Sequence, residues 1–174
     1  MNKEAIILEK KNLSPKEMRD GILKVEEELS KLPGAIIGHD NDNSLLPLKH
    51  TFVDGAYIRE IFMPKGTLLT SKIHKICHPY FIMKGDCSVL TDEGVVRLKA
   101  PYQGITKSGT KRLLYIHEDT IWITVHVTKH KDLEKIEEEI IAESFDDILP
   151  SPEEIKKLKE AWYAIIRFIV WLYF

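Results

Sequence analysis

Hydrophobic residues near the start of the chain recur at three- and four-residue intervals, the spacing of one face of an α-helix. The run opens at Ser14-Pro15-Lys16-Glu17, where the Ser14 hydroxyl can accept from the Glu17 amide and the Glu17 carboxylate can reach back. Proline suits the first helical position, because its missing N–H would have no partner there. The pattern therefore predicts an amphipathic helix to about Lys31, ended by Pro33-Gly34.

Between about residue 51 and residue 128 the pattern changes to short apolar runs separated by turn residues. Runs with turn signals about every 8–12 residues are typical of an antiparallel β-sandwich or β-barrel. No helical segment separates the runs, which argues against a parallel α/β sheet. The predicted strands are 57–63, 67–73, 79–83, 87–90, 95–98, 104–107, 112–116 and 121–127. The predicted turns include 64–66, 84–86, 92–94, 108–109 and 117–119.

Helical spacing returns in the C-terminal part of the chain. Residues 132–143 place Leu133, Ile136 and Ile140 on one face and acidic residues on the other. A second capping box at 151–154 predicts a final helix. The pattern thus divides the chain into an N-terminal helix and loop at 1–50, a β-barrel at 51–130 and C-terminal helices at 131–174.

The second half of the final helix, residues 161–174, is apolar on nearly every side. Spanning a bilayer takes about 20 apolar residues, and this run is shorter and interrupted by Arg167. We expect it to pack against a partner subunit in a homo-oligomer or larger assembly. The alternatives are burial against its own barrel, or peripheral membrane contact through Trp162, Trp171 and Tyr173.

Composition and charge limit the binding partners that the chain can have and the cellular compartment that suits it. A net charge of −2 over 174 residues offers no concentrated basic face, so nucleic-acid binding is not expected. Cys77 and Cys87 form neither a disulfide framework nor a closely spaced metal-binding pair, which suits a reducing compartment. The apolar patch at residues 5–8 is too short for a signal-peptide core. A cytoplasmic location is therefore expected.

Residues 64–86 resemble the first motif of the cupin superfamily, the small jelly-roll barrels. That motif has a Gly, a His-x-His pair, a Glu, and a strand that ends in Gly. Gly66 and Gly85 match the glycines, and His74 falls at the second His of the pair. The resemblance implies a mainly β fold with flanking α-helices, in which the strands form a cupin-like antiparallel β-barrel.

The resemblance continues over residues 100–127, but the metal-ligand positions are replaced. Pro101-Tyr102-Gln103-Gly104 matches the start of the second cupin motif, and Lys107 occupies roughly the position of its His. In the first motif Lys72 stands in place of the first His, and His78 in place of the Glu. The stretch is also similar to small cupin-like proteins of tailed phages.

A catalytic cupin holds its metal with three neutral imidazoles and one carboxylate. Here His74 and His78 can share one face of a strand, since their offset is even, and His126 on the last strand is a third candidate ligand. The ammonium groups of Lys72 and Lys107 would repel a cation unless they point away. We therefore expect no cofactor, with a divalent metal (Zn, Fe, Mn or Ni) as the alternative to histidines that are hydrogen-bonded in the barrel mouth.

The replaced ligands favour a non-catalytic structural or binding module that acts within a homo-oligomer or larger assembly. The resemblance to phage proteins extends this to a virion component, located in the host cytoplasm or the virion. The lysines suit anionic ligands, such as sugars that carry phosphate or carboxylate. The predicted ligand-binding residues are Lys72, His74, His78, Tyr102 and Lys107.

Two enzyme alternatives remain open. One is a metal-dependent enzyme of the dioxygenase or isomerase type, with His74 and His78 at the metal. The other is similar to sugar-nucleotide epimerases of the same superfamily, which use a His base and a Tyr acid inside the barrel. The candidate bases are His74 and His78, and the candidate acids are Tyr57, Tyr80 and Tyr102.

Overall fold

The computed structural model describes residues 13–32, 45–148, 153, 156–163 and 167. Within this part, no helix is long and apolar enough to cross a membrane. Most of the predicted capping box at 151–154 and most of the apolar run at 161–174 lie outside the described residues.

The first helix, α1, covers Pro15–Ser30 and begins with the predicted capping box. The backbone N–H of Ser14 donates to the Glu17 carboxylate at 2.7 Å, and the Glu17 N–H donates to the Ser14 hydroxyl at 3.3 Å. The apolar face of α1 meets the barrel at Ile22, which is fully buried. On the same side, the Glu26 carboxylate accepts from Lys111 Nζ at 2.7 Å. A second ion pair joins Arg19 of α1 to Asp92 at 2.8 Å, so apolar burial and two ion pairs hold the helix against the barrel.

The rest of the described chain is mainly antiparallel β-structure, as predicted. The elements after α1 are β1 (Leu48–Val53), β2 (Ala56–Met63), β3 (Leu68–Thr70), β4 (Ile73–His74), β5 (His78–Thr91), β6 (Gly94–Lys99), β7 (Tyr102–Thr106), β8 (Leu113–Val127), α2 (Leu133–Ile140), β9 (Ile141–Ala142) and a 3₁₀ turn (Phe145–Asp147). Strand β1 begins inside the segment that the sequence assigned to the N-terminal helix and loop.

Two long strands, β5 and β8, organise the barrel. The main sheet has the order β1-β2-β8-β5-β6, with β3 also paired to β8 and β7 also paired to β5. The first part of β8 pairs with β3 and with the second part of β5, whereas its last eight residues pair with β2. Each long strand therefore passes from one side of the barrel to the other, which confirms the predicted cupin-like antiparallel barrel.

Two of the predicted turns are wrong, because residues 84–86 continue β5 and residues 117–119 continue β8. The register between these strands shifts around Gly85, whose φ is +99°. A Cβ at Gly85 would lie 2.5 Å from the carbonyl oxygen of Asp119. The glycine serves a bulge that bends a continuous strand, and a bulge needs the same backbone freedom as a turn.

Two other predicted boundaries also differ. The run at 67–73 is divided into β3 and β4, and α2 ends at Ile140 rather than at residue 143. Both differences have one cause, since Ile73 pairs with Ala142 and the chain leaves the helix to form this small sheet. The pairing holds the end of α2 against the barrel.

The core lies between the inward faces of the strands. Ile82, Cys87 and Ile116 are completely buried, and they come from the two long strands that bend around it. Burying an isoleucine side chain contributes about 1.5–3 kcal/mol. The other members of this core cluster are Leu46, Ile61, Met63, Leu69, Tyr80, Val89, Leu98, Leu114 and Trp122.

Candidate functional site

A cavity of about 100 Å³ lies inside the barrel beneath α2. Its walls come from the inward-facing residues of β2, β3 and β8, and α2 adds Leu133, Ile136 and Ile140. Much of the surface is aliphatic or aromatic. The polar lining residues are Tyr57, Arg59, Ser71, Lys72, His74, Arg112, Thr124, His126 and Glu137.

Three imidazoles form a cluster, in which His74 and His126 line this cavity and His78 contacts the rings of both. The ring centroid of His78 lies 4.2 Å from that of His126 and 4.7 Å from that of His74. The rings of His74 and His126 are 6.4 Å apart. The structure thus brings together the three histidines that the sequence proposed as metal ligands.

The sequence predicted that His74 and His78 lie on one face of a single strand. The structure brings the two rings together in a different way. His74 ends β4 and His78 begins β5, with a bend at residues 75–77 between them. The His74 N–H donates to the carbonyl of Thr110 at 3.1 Å, and the His74 carbonyl accepts from Gly109 at 2.8 Å. His74 is therefore positioned by its pairing with the 109–110 loop, and strand alternation plays no part.

All three imidazoles are uncharged near neutral pH. Burial lowers the pKa of His126 to about 3, and burial also lowers the pKa of His78. Burial lowers the pKa of His74 well below its usual value, and the positive charges of Arg112 and Arg59 lower it further. The histidines therefore serve as neutral hydrogen-bonding groups.

Two nitrogens of this cluster, His74 Nδ1 and His78 Nε2, are buried without a hydrogen-bond partner in the described part of the chain. The tautomer of His78 follows from its other nitrogen, because Nδ1 lies 3.0 Å from the carbonyl oxygen of Ile76. A carbonyl only accepts, so Nδ1 carries the proton and Nε2 presents a lone pair. An unpaired buried acceptor of this kind costs about 1–3 kcal/mol.

Two arginines that the sequence analysis did not single out flank the imidazoles. Arg112 is 7% exposed, and its Nη2 donates to the Thr106 hydroxyl at 2.7 Å. Its guanidinium lies 5.3 Å from the Tyr80 centroid and 5.6 Å from the Trp122 centroid. Burial lowers the pKa of Arg112 to about 10 and lowers that of Arg59. At a pKa of about 10 the Arg112 guanidinium remains charged at neutral pH.

The cavity lining carries more positive than negative charge. Among the lining residues in the described part of the chain, Arg59, Lys72 and Arg112 are the cations and Glu137 is the one carboxylate. Glu137 forms an ion pair with Lys72. Among the residues that the structure describes, no carboxylate forms an ion pair with Arg112.

The five predicted ligand-binding residues are divided between two places. Lys72 and His74 line the cavity, and the His78 ring contacts those of His74 and His126. Tyr102 and Lys107 line a second pocket of about 310 Å³, which also includes Tyr80 and Arg112. Lys107 is exposed there and pairs with Glu93 at 2.5 Å, so its ammonium group does not line the cavity beneath α2.

The structure also gives the surroundings of Tyr57 and Tyr80, two of the tyrosines proposed as acids. The Tyr57 hydroxyl lies 2.6 Å from His50 Nδ1, and its ring stacks on that of His126 with centroids 6.0 Å apart. Burial raises the pKa of Tyr57 and raises that of Tyr80 to about 12. Both side chains are therefore protonated hydrogen-bond donors at neutral pH.

The residues present are a poor fit to a metal ion. Within the described ranges, no group of three or more His, Cys, Asp or Glu side chains is arranged to hold one. The charges of Arg59 and Arg112 flank the imidazoles, and a further cation there would be repelled. A metal at His74, His78 and His126 stays a prediction that this arrangement does not favour.

No protein-family model and no curated protein matches the sequence. Solved structures similar to this chain include cupin-domain proteins. KdgF from Halomonas sp. is 13% identical with a TM-score of 0.45, over 55% of this chain and 93% of that one. The Cnp3 cupin domain of Schizosaccharomyces pombe is 16% identical with a TM-score of 0.43, over 58% and 73%.

A cupin superfamily protein from Desulfitobacterium hafniense DCB-2 is 9% identical with a TM-score of 0.42, over 51% of this chain and 83% of that one. Identities and scores of this size concern the overall arrangement of strands and carry no argument about activity. The similarity to phage proteins stays a prediction.

Proposed function

We propose that this chain is a binding module that holds a small organic anion in the cavity beneath α2. The observation that supports it most strongly is Arg112, a buried guanidinium that has no carboxylate partner in the described structure. Keeping an unpaired charge out of water costs several kcal/mol, roughly, even after the protein relaxes. A bound carboxylate would offset that cost through charge-assisted, bidentate hydrogen bonds.

The surrounding groups support the same proposal. Arg59 lies on the β2 wall of the same cavity, and the imidazoles add no charge of their own. The Lys72–Glu137 ion pair joins the strand side of the cavity to α2. Leu133, Ile136 and Ile140 of this helix add apolar surface to the cavity wall. A charged ligand is attracted more strongly next to such a low-dielectric surface than in open water.

The acid–base alternative has less support. A general base works best with a pKa near the operating pH, whereas burial lowers the pKa of His74 and of His78, the two bases that this alternative requires. Burial also moves the pKa of Tyr57 upward, away from that range. An imidazole with a lowered pKa is a weak base, and a tyrosine with a raised pKa is a weak acid. The epimerase-like mechanism would have to overcome both.

A metal-dependent enzyme is the second candidate, and the contact among three neutral imidazoles is the observation in its favour. Metal analysis of the purified chain tests it directly. Stoichiometric Zn, Fe, Mn or Ni that disappears in a His74→Ala, His78→Ala double variant would support this candidate. Metal well below stoichiometry after loading with each cation would remove it.

The anion proposal is tested by thermal unfolding at constant ionic strength, with chloride replaced by acetate, lactate, phosphate or sulfate. We expect at least one of the organic anions to raise the unfolding temperature, because a ligand that binds only the folded state stabilises it. Arg112→Gln should abolish the rise. Lys107→Gln is the matched control, and it should leave the rise unchanged. If Lys107→Gln abolished the rise, the anion would lie in the second pocket, which Arg112 also lines.

We also propose that the module works in a homo-oligomer or larger assembly through its C-terminal helix. In the described part of that helix Trp162 and Tyr163 are 61% and 64% exposed, and large exposed aromatic residues are enriched in interfaces. Light scattering on a Trp162→Glu, Tyr163→Glu variant tests this, with Lys159→Glu as the control. A monomeric double variant would support the proposal, and an unchanged mass would contradict it.

A further inference from the structure

Helix α1 contacts the barrel through a few residues on one of its faces. Of the 16 residues of α1, Ile22 is the one that is fully buried. Arg19 lies one turn before Ile22 and pairs with Asp92 at 2.8 Å. Glu26 lies one turn after Ile22 and pairs with Lys111 at 2.7 Å. A helix held by so few contacts can leave the barrel at a lower free energy than global unfolding requires.

The ammonium group of Lys111 depends on Glu26 for its counter-charge. Lys111 is buried, and its Nζ also donates to the backbone carbonyl of Ser71 at 3.0 Å. The Glu26 carboxylate accepts in addition from the hydroxyl of Thr70. Among the residues that the structure describes, no other carboxylate forms an ion pair with Lys111. Without Glu26 the buried charge would be uncompensated, and movement of Lys111 toward solvent would relieve it.

The two residues that Glu26 binds adjoin two residues of the cavity wall. Ser71 and Arg112 both line the cavity beneath α2. The Ser71 N–H donates to the Arg112 carbonyl at 2.8 Å, and the Arg112 N–H donates to the Ser71 hydroxyl at 2.9 Å. Glu26 thus joins the chain neighbours of this hydrogen-bonded pair, Thr70 and Lys111. A displacement of Lys111 would therefore move Arg112, the next residue in the chain.

We propose that Glu26 is a positioning residue for the anion site, and that α1 must lie against the barrel for Arg112 to bind an anion. This inference rests on the anion-binding function proposed above and adds a way to regulate it. Release of α1 would free Lys111, displace the Ser71–Arg112 pair and weaken binding. Docking of the helix and binding of the anion are then linked, so each favours the other by the same factor.

Glu26→Gln removes the counter-charge and keeps the size of the side chain. Calorimetric titration with acetate, lactate, phosphate and sulfate identifies the anions that the native chain binds. In Glu26→Gln their affinity should fall about 5- to 150-fold, the usual range of coupling between two sites. Glu28→Gln is the matched control, because Glu28 is exposed on the same helix and pairs with Lys31 at 2.8 Å. It should leave the affinity unchanged.

A double variant, Glu26→Gln with Lys111→Met, separates positioning from a general loss of stability. It contains no uncompensated ammonium group at position 111, so we expect most of the lost affinity to return. The nitrogen-15 NMR signal of Arg112 Nε–H, recorded without any added anion, should shift in Glu26→Gln and return toward its native position in the double variant. A native affinity in Glu26→Gln, or an equal loss in the single and double variants, would overturn the inference.

Hydrogen exchange of the native chain tests the same linkage if Glu26→Gln fails to fold. The amides of α1 should exchange faster than those of Ile82 and Ile116, through release of the helix, and a saturating anion should slow them. Unchanged exchange in α1 with the anion bound would reject the inference and leave an Arg112-dependent site in place. Absence of binding by all four anions would reject the proposed function together with its regulation by α1.

Discussion

The guanidinium carbon of Arg112 lies 5.3 Å from the centroid of the Tyr80 ring, inside the barrel and away from solvent. The Tyr80 ring and the Thr106 hydroxyl are neutral neighbours, so they hold the guanidinium in place without cancelling its charge. A buried charge in this condition lowers the stability of the folded chain. Retaining such a group makes physical sense where a ligand brings the opposite charge.

This relationship predicts an unusual result for Arg112→Met. Replacing buried charged groups by apolar side chains of similar volume is often neutral or stabilising by about 1–4 kcal/mol. In a buffer without organic anions, we expect the free energy of unfolding to stay the same or rise, despite the lost hydrogen bond to Thr106. Denaturant titration measures it. A loss of more than about 3 kcal/mol would mean that the protein itself supplies a counter-charge.

The histidine cluster predicts how stability depends on pH. In the unfolded chain His126 titrates near 6.5, whereas burial lowers its pKa to about 3 in the folded chain. Between these values the unfolded state binds more protons, so the free energy of unfolding is largest above about pH 6.5 and falls as the pH decreases. At about pH 5 the loss should be roughly 2 kcal/mol for this one imidazole.

Denaturant titration at several pH values measures the slope of the free energy of unfolding against pH. The charged groups that face the cluster are Arg59 and Arg112, and both oppose protonation of His74. His126→Gln should reduce the slope, and His130→Gln, a change at an exposed position, should not. A slope that is the same in both variants and in the native chain would contradict the assignment of His126 as a buried neutral group.

The bend in β5 predicts a strong effect of Gly85→Ala. The added Cβ would meet the carbonyl oxygen of Asp119 at 2.5 Å, and a φ of +99° is unfavourable for alanine. Overpacking and backbone strain together should cost about 2–5 kcal/mol. Gly94→Ala is the control, because φ is +115° there but nothing lies within 4 Å of the added Cβ. It should cost about 1–2 kcal/mol. Equal losses would show that steric contact at the bulge is unimportant.

The class of fold could be predicted from the sequence, whereas the strand boundaries could not. Short apolar runs between turn residues indicated the strands, but glycine at position 85 is compatible with a bulge as well as with a turn. The end of α2 depends on the pairing of Ile73 with Ala142, a contact between distant parts of the chain. Such contacts override local spacing.

The site was predicted in part. The sequence singled out His74, His78 and His126, and the structure brings their rings together. Arg59 and Arg112 were not predicted from the sequence, although the two-residue alternation of a β-strand indicated the position of Arg59. Arg59 alternates with the buried Tyr57 and Ile61 along β2, which places it on the inward face. Lys107 was grouped with the histidines by motif alone, and its partner across the second pocket is Glu93.

Binding of an anion at Arg112 is observed through the signals of the arginine side chains themselves. The chain has five arginines, so nitrogen-15 NMR can resolve each guanidinium during a titration with lactate. We expect a saturable shift of the Arg112 Nε–H signal, and no shift at Arg97, which already pairs with Asp86 at 2.8 Å on the outer face. A saturable shift at Arg97 with Arg112 unmoved, or no shift at any arginine, would contradict binding at Arg112.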